Sequence, residues 1–192
     1  MKRWVRSAMA FHRLVAPICV VFAFLAPVSG SASTRLFGFA ATEAPWVAVN
    51  DGVMGGVSSG SMVVKSGVAT FAGRVRTENN GGFASVQSNT GVVGVSAQQS
   101  GFVARVRGDG RAYQFTVDTA DGWFWARIDP PKRSWTTIHI PFATLTPRTR
   151  FGELMKRAAF DGSPSVKSVG LLIANKRAEY FSLAIDWIDV EG

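Results

Sequence analysis

Two short segments rich in amide, hydroxyl and glycine residues have the side chains best suited to hold a ligand in this 192-residue sequence. The first is VNDGVMGGVSSG at residues 49–60, and the second is ENNGGFAS at residues 78–85. Asn and Asp side chains bond to nearby backbone, and glycine permits sharp bends and close backbone approach. These residues suit a ligand-binding loop or a demanding turn, and we expect them mainly to hold the ends of two sheets together. The first segment has no Lys and no helix pattern after it, so it is not a phosphate-binding loop.

Groups that could perform catalysis are scarce. His139 lies in a Thr- and Ile-rich stretch that is typical of a structural histidine. Asp186 and Asp189 are three apart on a predicted strand, which places them on opposite faces and not facing each other across a glycosidase cleft. Asp118 and Asp121 flank a glycine-containing turn and are interpreted as turn residues. The sequence predicts no enzyme, no metal site and no cofactor, although a structural calcium bound by loop oxygens stays open.

Four large polar or aromatic side chains form a second candidate site. In GWFWARI, Trp123, Trp125 and Arg127 alternate with apolar residues, and Trp135 begins the next predicted strand. If the two strands are neighbours, one sheet face presents three tryptophans among Arg, Gln, Thr and His. Such a face stacks on sugar rings or anchors a protein. The other interpretation is that a loop or the N-terminal segment covers this face.

An RGD triplet occurs at residues 107–109, inside RGDGRAY. Gly-Arg-Ala-Tyr after the triplet is typical of a tight hairpin. We therefore interpret the triplet as a turn and not as an adhesion signal.

Residues 1–33 are predicted to be a secretory signal peptide. Four basic residues and no acidic ones precede the apolar run at 14–28, and small residues follow, with cleavage expected near Ser33. The run is short and interrupted by prolines, unlike a transmembrane span. The sequence therefore predicts an exported protein, periplasmic or secreted, that is not an integral membrane protein after cleavage. A mitochondrial transit peptide is the alternative, because the start is Arg-rich and acid-poor.

Removal of this segment changes the charge and the redox chemistry. The whole chain has a formal net charge of +8, and half of it comes from residues 1–33. No dense basic run remains, so a nucleic-acid partner is not predicted. The single cysteine, Cys19, is also removed, which leaves residues 34–192 without disulfides or thiol chemistry.

Residues 34–192 are predicted to be one all-β domain. Short runs rich in Val, Ile, Phe, Trp and Thr alternate with Gly, Asp, Asn and Pro. The close spacing leaves no room for crossover helices, so the sheets should be antiparallel and form a jelly-roll β-sandwich. FGELMKRAAF, at 151–160, is the only stretch in which a helical turn is expected. The predicted strands lie at 61–66, 68–73, 83–88, 101–107, 112–118, 122–128, 135–142, 169–175 and 180–190.

Five motifs in order resemble the complex I intermediate-associated protein 30 family. They are WVAVNDGVMGGVS, ENNGGFASV, VRGDGRAYQF, IPF and YFSLAIDWI, and they span about residues 37–190. The resemblance implies a galactose-binding-like jelly roll, an architecture that carbohydrate-binding modules share. It also implies an assembly factor, because mitochondrial members hold membrane-arm intermediates of respiratory complex I. The family's reductase-like fusion partner has no counterpart here, since the chain lacks a glycine-rich dinucleotide fingerprint.

The resemblance also indicates which loop residues to regard as binding candidates. The positions that match the family's pattern are Asn50, Asp51, Met54, Gly55, Gly56, Ser58, Asn79, Asn80, Gly81, Gly82 and Phe83. No catalytic role comes with them. An exported domain differs from the matrix-located mitochondrial members, so the complex I role transfers poorly. Two functions remain open: a chaperone-like, protein-binding assembly factor acting on an envelope or respiratory partner, and a carbohydrate-binding module.

Overall fold

The structure is a computed structural model that describes residues 32–40, 46–89 and 93–192. The predicted signal peptide, apart from its last two residues, lies outside these ranges. Residues 31–192 form one compact unit. No helix in the described ranges is long and apolar enough to cross a membrane.

Twelve strands form in the described part of the chain, and they include all nine that the sequence predicts. They are β1 (Ser33–Phe37), β2 (Val47–Ala48), β3 (Ser59–Lys65), β4 (Val68–Val75), β5 (Ala84–Gln87), β6 (Gly101–Arg107), β7 (Tyr113–Thr119), β8 (Gly122–Ile128), β9 (Thr136–Pro141), β10 (Thr146–Arg148), β11 (Val166–Ile173) and β12 (Glu179–Glu191). Single turns of 3₁₀ helix cover Asp51–Met54, Glu78–Asn80 and Phe142–Thr144.

The strands make two six-stranded sheets, and among the described residues every pairing between strands is antiparallel. Sheet A has the order β3-β4-β12-β6-β9, with β1 also paired to β12. Sheet B has the order β10-β8-β7-β11-β5-β2. The two sheets form a jelly-roll β-sandwich, which confirms the all-β prediction.

The core lies between the inner faces of the sheets and is rich in aromatic rings. Phe71 and Phe181 of sheet A have ring centroids 4.8 Å apart, and Phe102 of sheet A lies 5.0 Å from Phe115 of sheet B. These rings are fully or almost fully buried. Burying one such side chain contributes about 2–3 kcal/mol, so this layer is a main source of the sandwich's stability.

The prediction of a helical turn within 151–160 is wrong, because this segment forms a hairpin. The Thr149 N–H donates to the Glu153 carbonyl at 2.8 Å, and the Met155 N–H donates to the Pro147 carbonyl at 3.0 Å. Gly152 lies at the turn with φ +91°, a left-handed conformation that ends any helical path. The chain therefore folds back on β10 at the edge of sheet B.

Candidate functional site

The carboxylate of Asp51 is the centre of the hydrogen bonds that join the two glycine-rich segments. Its residue is completely buried. Its Oδ1 accepts the Ser58 N–H at 2.9 Å, and its Oδ2 accepts the Ser58 hydroxyl at 2.5 Å. Oδ2 also accepts the N–H groups of Gly82 at 2.7 Å and Phe83 at 3.3 Å. One side chain thus fastens the loop before β3 to the turn before β5.

Asn50 joins the two sheets directly. Its Nδ2 donates to the Gly60 carbonyl of β3 in sheet A at 3.0 Å. Its Oδ1 accepts the Ser85 N–H of β5 in sheet B at 3.3 Å. These two hydrogen bonds hold β3 and β5 together, as expected if the loop has a structural role.

The second segment also contributes to this arrangement. Asn79 and Asn80 both adopt left-handed backbone conformations, with φ of 56° and 59°, which short amide side chains tolerate. The Asn79 side-chain amide donates to the Gly55 carbonyl at 3.1 Å. Gly55 itself has φ +87°, so both segments depend on unusual backbone geometry. The family-pattern residues of the two segments are therefore brought together at one end of the sandwich.

Two glycines leave the space that the Asp51 carboxylate occupies. A Cβ on Gly56 would lie 2.4 Å from the Asp51 Cγ, and one on Gly81 would lie 2.6 Å from its Oδ2. Real Cβ atoms do not approach so closely. The glycines at these positions are required by packing, which the sequence alone could not distinguish from a need for flexibility.

The environment of Asp51 keeps it ionised. Burial alone would raise its pKa, but the hydrogen bonds from the Ser58 hydroxyl and from the backbone N–H groups of Gly82, Ser58 and Phe83 together lower the pKa below the ordinary 3.8. A carboxylate with a lowered pKa that accepts four hydrogen bonds is a poor proton donor. Asp51 is thus suited to hold structure and not to catalyse.

The outer side of the same loop is apolar and exposed. Val53 is 71% exposed, Met54 50% and Val57 48%. We call these three residues the apolar tip. The polar side chains of the loop face inward and form hydrogen bonds, while its apolar side chains face solvent. This is the reverse of an ordinary surface turn. Val53 and Val57 were not among the predicted site residues, although apolar residues in a loop without strand alternation are a signal for them.

The prediction that one sheet face presents three tryptophans is wrong, because β8 and β9 belong to different sheets. Trp123, Trp125 and Arg127 do point outward from β8 in sheet B, as the alternation predicts. Trp135 instead precedes β9, which pairs with β6 in sheet A. Its ring lies under the guanidinium of Arg107, at 4.8 Å. Local alternation predicts which way a side chain points, but not which sheet its strand joins.

Trp125 is partly covered by the hairpin that follows β10. A Cβ on Gly152 would lie 2.7 Å from the indole ring, so the backbone at that turn rests on Trp125. The indole N–H is buried and has no hydrogen-bond partner in the described part of the chain. The interpretation that a loop covers this face therefore holds for Trp125, although its indole N–H donor is unsatisfied. Trp123 is half-buried on the same face.

Two of the four carboxylates considered for catalysis, Asp186 and Asp189, are engaged in ion pairs on the outer face of sheet A. Asp186 pairs with Arg105 at 2.6 Å, and Asp189 pairs with Arg35. The register of β12 shifts between Ile185 and Trp187, which brings Asp186 to the same face as Asp189. The prediction that they face opposite ways is wrong, because a bulge inserts one residue into the alternation.

His139 is exposed and lies 3.0 Å from a carboxylate oxygen of Glu191. This surface pairing agrees with a structural histidine. In the described ranges, no group of three or more His, Cys, Asp or Glu residues is placed to hold a metal ion.

The RGD triplet lies in a bend that connects the two sheets. The prediction of a tight hairpin is wrong, because β6 belongs to sheet A and β7 to sheet B. The Asp109 carboxylate accepts the Arg111 N–H at 3.0 Å, the Tyr113 hydroxyl at 3.1 Å and the Ser182 N–H at 2.8 Å. Arg111 also pairs with Asp109 and with Glu179, each at 3.0 Å. An open cleft of about 610 Å³ borders these groups, and the four basic residues in its lining outnumber its two acids, Asp109 and Glu179. The aspartate is not free for an adhesion receptor.

Comparison with known proteins identifies one family and one fold. The sequence model of the family described as Complex I intermediate-associated protein 30 matches residues 36–185. A search of curated proteins found no match.

Solved structures with a similar fold include carbohydrate-binding modules. The family 11 carbohydrate-binding module of the cellulosomal cellulase Lic26A-Cel5E of Clostridium thermocellum is 18% identical, with a TM-score of 0.60 over 85% of this chain and 96% of that one. The same organism's family 11 module in complex with a β-1,3-1,4-mixed-linked tetrasaccharide is 19% identical, with a TM-score of 0.59 over 85% and 98%. The agarase AgWH50C is 10% identical, with a TM-score of 0.58 over 83% of this chain and 24% of its own. At these identities the likeness shows a shared galactose-binding-like fold.

Proposed function

We propose that this chain is a non-catalytic, protein-binding domain of the assembly-factor type. The premise is that the chain belongs to the complex I intermediate-associated protein 30 family. Its partner is a protein of the envelope or of a respiratory complex. The N-terminal segment, with its basic start and apolar run, supports export of the domain to the periplasm or beyond.

The observation that carries this proposal is the inverted polarity of the loop at 50–58. Asn50, Asp51 and Ser58 bond inward, whereas the apolar tip lies in solvent on a backbone fixed by those bonds. A sugar site needs several polar groups converging on a cleft. An exposed apolar surface with no such groups instead fits a protein interface, whose centre is apolar and depleted in charge.

A non-catalytic role agrees with the state of the titratable groups. The Asp51 carboxylate accepts four hydrogen bonds, Asp186 and Asp189 are held by arginines, and His139 contacts Glu191 at the surface. No nucleophile paired with a base occurs among the groups described above. The chain can therefore bind and hold, and its side chains offer no evident acid–base pair for chemistry.

Replacing two residues of the apolar tip tests the proposal. We expect Val53→Ser with Met54→Ser to reduce crosslinked capture of the partner from the envelope fraction by about tenfold or more, because truncating interface anchors typically costs above 1 kcal/mol each. The free energy of unfolding should not change, since both side chains are exposed.

The matched control is Val63→Ser with Val64→Ser, which removes two exposed valines from β3. Its capture should equal that of the unmodified domain. If the tip variant captures as much partner as the unmodified domain, or if the control loses as much as the tip variant, the apolar tip is not the binding surface.

Carbohydrate binding is the second candidate, and one observation favours it. On the outer face of sheet B, Trp123 lies opposite Asp118 and Trp125 opposite Thr116 of β7, and the Trp125 indole N–H is buried without a partner in the described ranges. An unsatisfied buried donor is consistent with a polar ligand. A glycan array probed with the same preparation distinguishes the two functions: we expect no signal, and a defined glycan hit without a protein partner would replace the proposal.

A further inference from the structure

The hairpin after β10 is a rigid projection with an aromatic residue at its tip. Beyond the two backbone bonds that close it, the Gly152 N–H donates to the Thr149 carbonyl at 2.9 Å. The Arg148 guanidinium donates to the Gly152 carbonyl at 3.0 Å. These bonds hold Arg150 and Phe151 at the end of the turn. We call residues 147–157 the basic hairpin.

The apolar side chains of the basic hairpin are unusually exposed. Phe151 is 75% exposed, Leu154 66% and Met155 39%. Three large exposed apolar side chains within five residues form an apolar patch, and such patches commonly mark an interaction surface. They lie at the β10 edge of sheet B, whereas the loop with the apolar tip follows β2 at the opposite edge.

The basic hairpin also concentrates positive charge. It contains four basic residues, Arg148, Arg150, Lys156 and Arg157, against the single acid Glu153. In the described ranges none of the four forms an ion pair, although arginines 35, 76, 105, 111 and 127 all do. This short projection therefore carries four of the twelve basic residues in the described ranges that form no ion pair.

One of these cations anchors the hairpin to the sheet. The Arg157 guanidinium donates to the Asp121 carbonyl at 2.5 Å and lies 5.0 Å from the centre of the Phe124 ring. Arg150 and Lys156 are exposed. Arg150 lies near enough to Asp118 to oppose the rise in its pKa that burial causes, so that carboxylate offsets part of the charge.

We propose that the basic hairpin docks on an anionic phospholipid surface. Phe151, Leu154 and Met155 enter the boundary between headgroups and acyl chains, and Arg150 and Lys156 contact lipid phosphates. Exposed cations beside exposed apolar side chains complement an anionic lipid surface, in which phosphate charge lies next to an apolar interior. A lipid surface requires no shape complementarity, so a few apolar side chains and cations suffice.

Co-sedimentation with vesicles tests this inference on residues 31–192, which carry both sheets and their core. We expect binding to vesicles of equal parts phosphatidylcholine and phosphatidylglycerol, and weak binding to phosphatidylcholine alone. Phe151→Ser with Leu154→Ser should reduce the partition coefficient by about tenfold or more. Arg150→Gln with Lys156→Gln should reduce it by about 25-fold at low salt, or roughly fivefold for each cation.

The matched control is Val63→Ser with Lys65→Gln, which removes an exposed apolar side chain and an exposed cation from β3. It should bind like the unmodified domain, and cooperative urea unfolding of every variant shows that each is folded. Absent binding, equal binding to both vesicle types, unaltered binding of the hairpin variants or an equal loss in the control would overturn the proposal. Hairpin variants that lose protein capture without any vesicle binding would make this a protein contact instead. Because the apolar tip lies at the other edge of sheet B, failure here leaves the capture experiment unaffected.

Discussion

Asp51→Asn is expected to lower the free energy of unfolding by about 3 kcal/mol, a large part of the 5–15 kcal/mol typical of a domain. The carboxylate accepts four hydrogen bonds in a fully buried site. An amide of the same size keeps only one acceptor oxygen. With that oxygen in the Oδ2 position, the NH₂ group faces the Ser58 N–H, and two buried donors then oppose each other. Urea denaturation followed by tryptophan fluorescence measures the difference.

The same variant changes how stability depends on pH. Because the pKa of Asp51 is lowered in the folded protein, the stabilising contribution is present above its ordinary value of 3.8 and is lost as pH falls through the lower folded value. The unmodified domain should therefore lose stability as the pH falls from 3.8. That component should be absent in Asp51→Asn.

Asp161→Asn is the control for the Asp51 variant. Asp161 also accepts a backbone N–H and a hydroxyl, both from Ser163, but it is exposed. Exposed bonds of this kind exchange freely with water, so we expect a change below about 0.5 kcal/mol. Equal effects at the two aspartates would mean that burial of Asp51 does not matter and that the two segments are held by other contacts.

Gly56→Ala is expected to destabilise the domain by about 3 kcal/mol, through overpacking and displaced hydrogen bonds. The new methyl group would lie 2.4 Å from the Asp51 Cγ and 2.5 Å from its Oδ1. The carboxylate cannot move away without releasing Ser58 or Gly82. Thermal unfolding monitored by circular dichroism measures the effect.

Gly52→Ala distinguishes this clash from a general need for glycine. Gly52 belongs to the same loop, yet a Cβ there would meet no atom within 4 Å, and its φ is not in the left-handed region. Its stability should stay within about 0.5 kcal/mol of the unmodified domain. A large loss at Gly52, or none at Gly56, would show that the loop packs differently from the structure described here.

The strands could be predicted because their signal is local. In β8, Phe124, Ala126 and Ile128 are buried and Trp123 is half-buried, as a period of two requires. Three strands are absent from the nine predicted: β1, β2 and β10. For β2 and β10, two or three residues are too few to show alternation.

The partners of the candidate residues could not be predicted, since they are distant in the chain. Asp51 is recognisable as a turn residue, but its contact with Gly82 joins positions 31 residues apart. Trp135 was assigned to the wrong neighbours because β9 pairs with β6, not with the adjacent β8. A bulge in β12 reversed the expected direction of Asp186. Each error concerns pairing between segments, about which local patterns carry no information.

These contacts separate the two roles of the loop at 50–58. Its polar residues join the sheets, and its exposed residues are free for a partner. A rigid loop presents its apolar side chains with little loss of conformational entropy on binding, which favours affinity. Stability and partner binding should therefore respond to different residues of one short segment.

Photocrosslinking from position 54 in living cells tests the central claim most directly. A benzophenone amino acid replaces Met54, and in a control it replaces Val63, which is 62% exposed on β3. The account predicts one reproducible protein adduct from position 54, absent from position 63 and reduced by Val53→Ser. No adduct from position 54, or the same adducts from both positions, would contradict the claim that this loop presents a protein-binding surface.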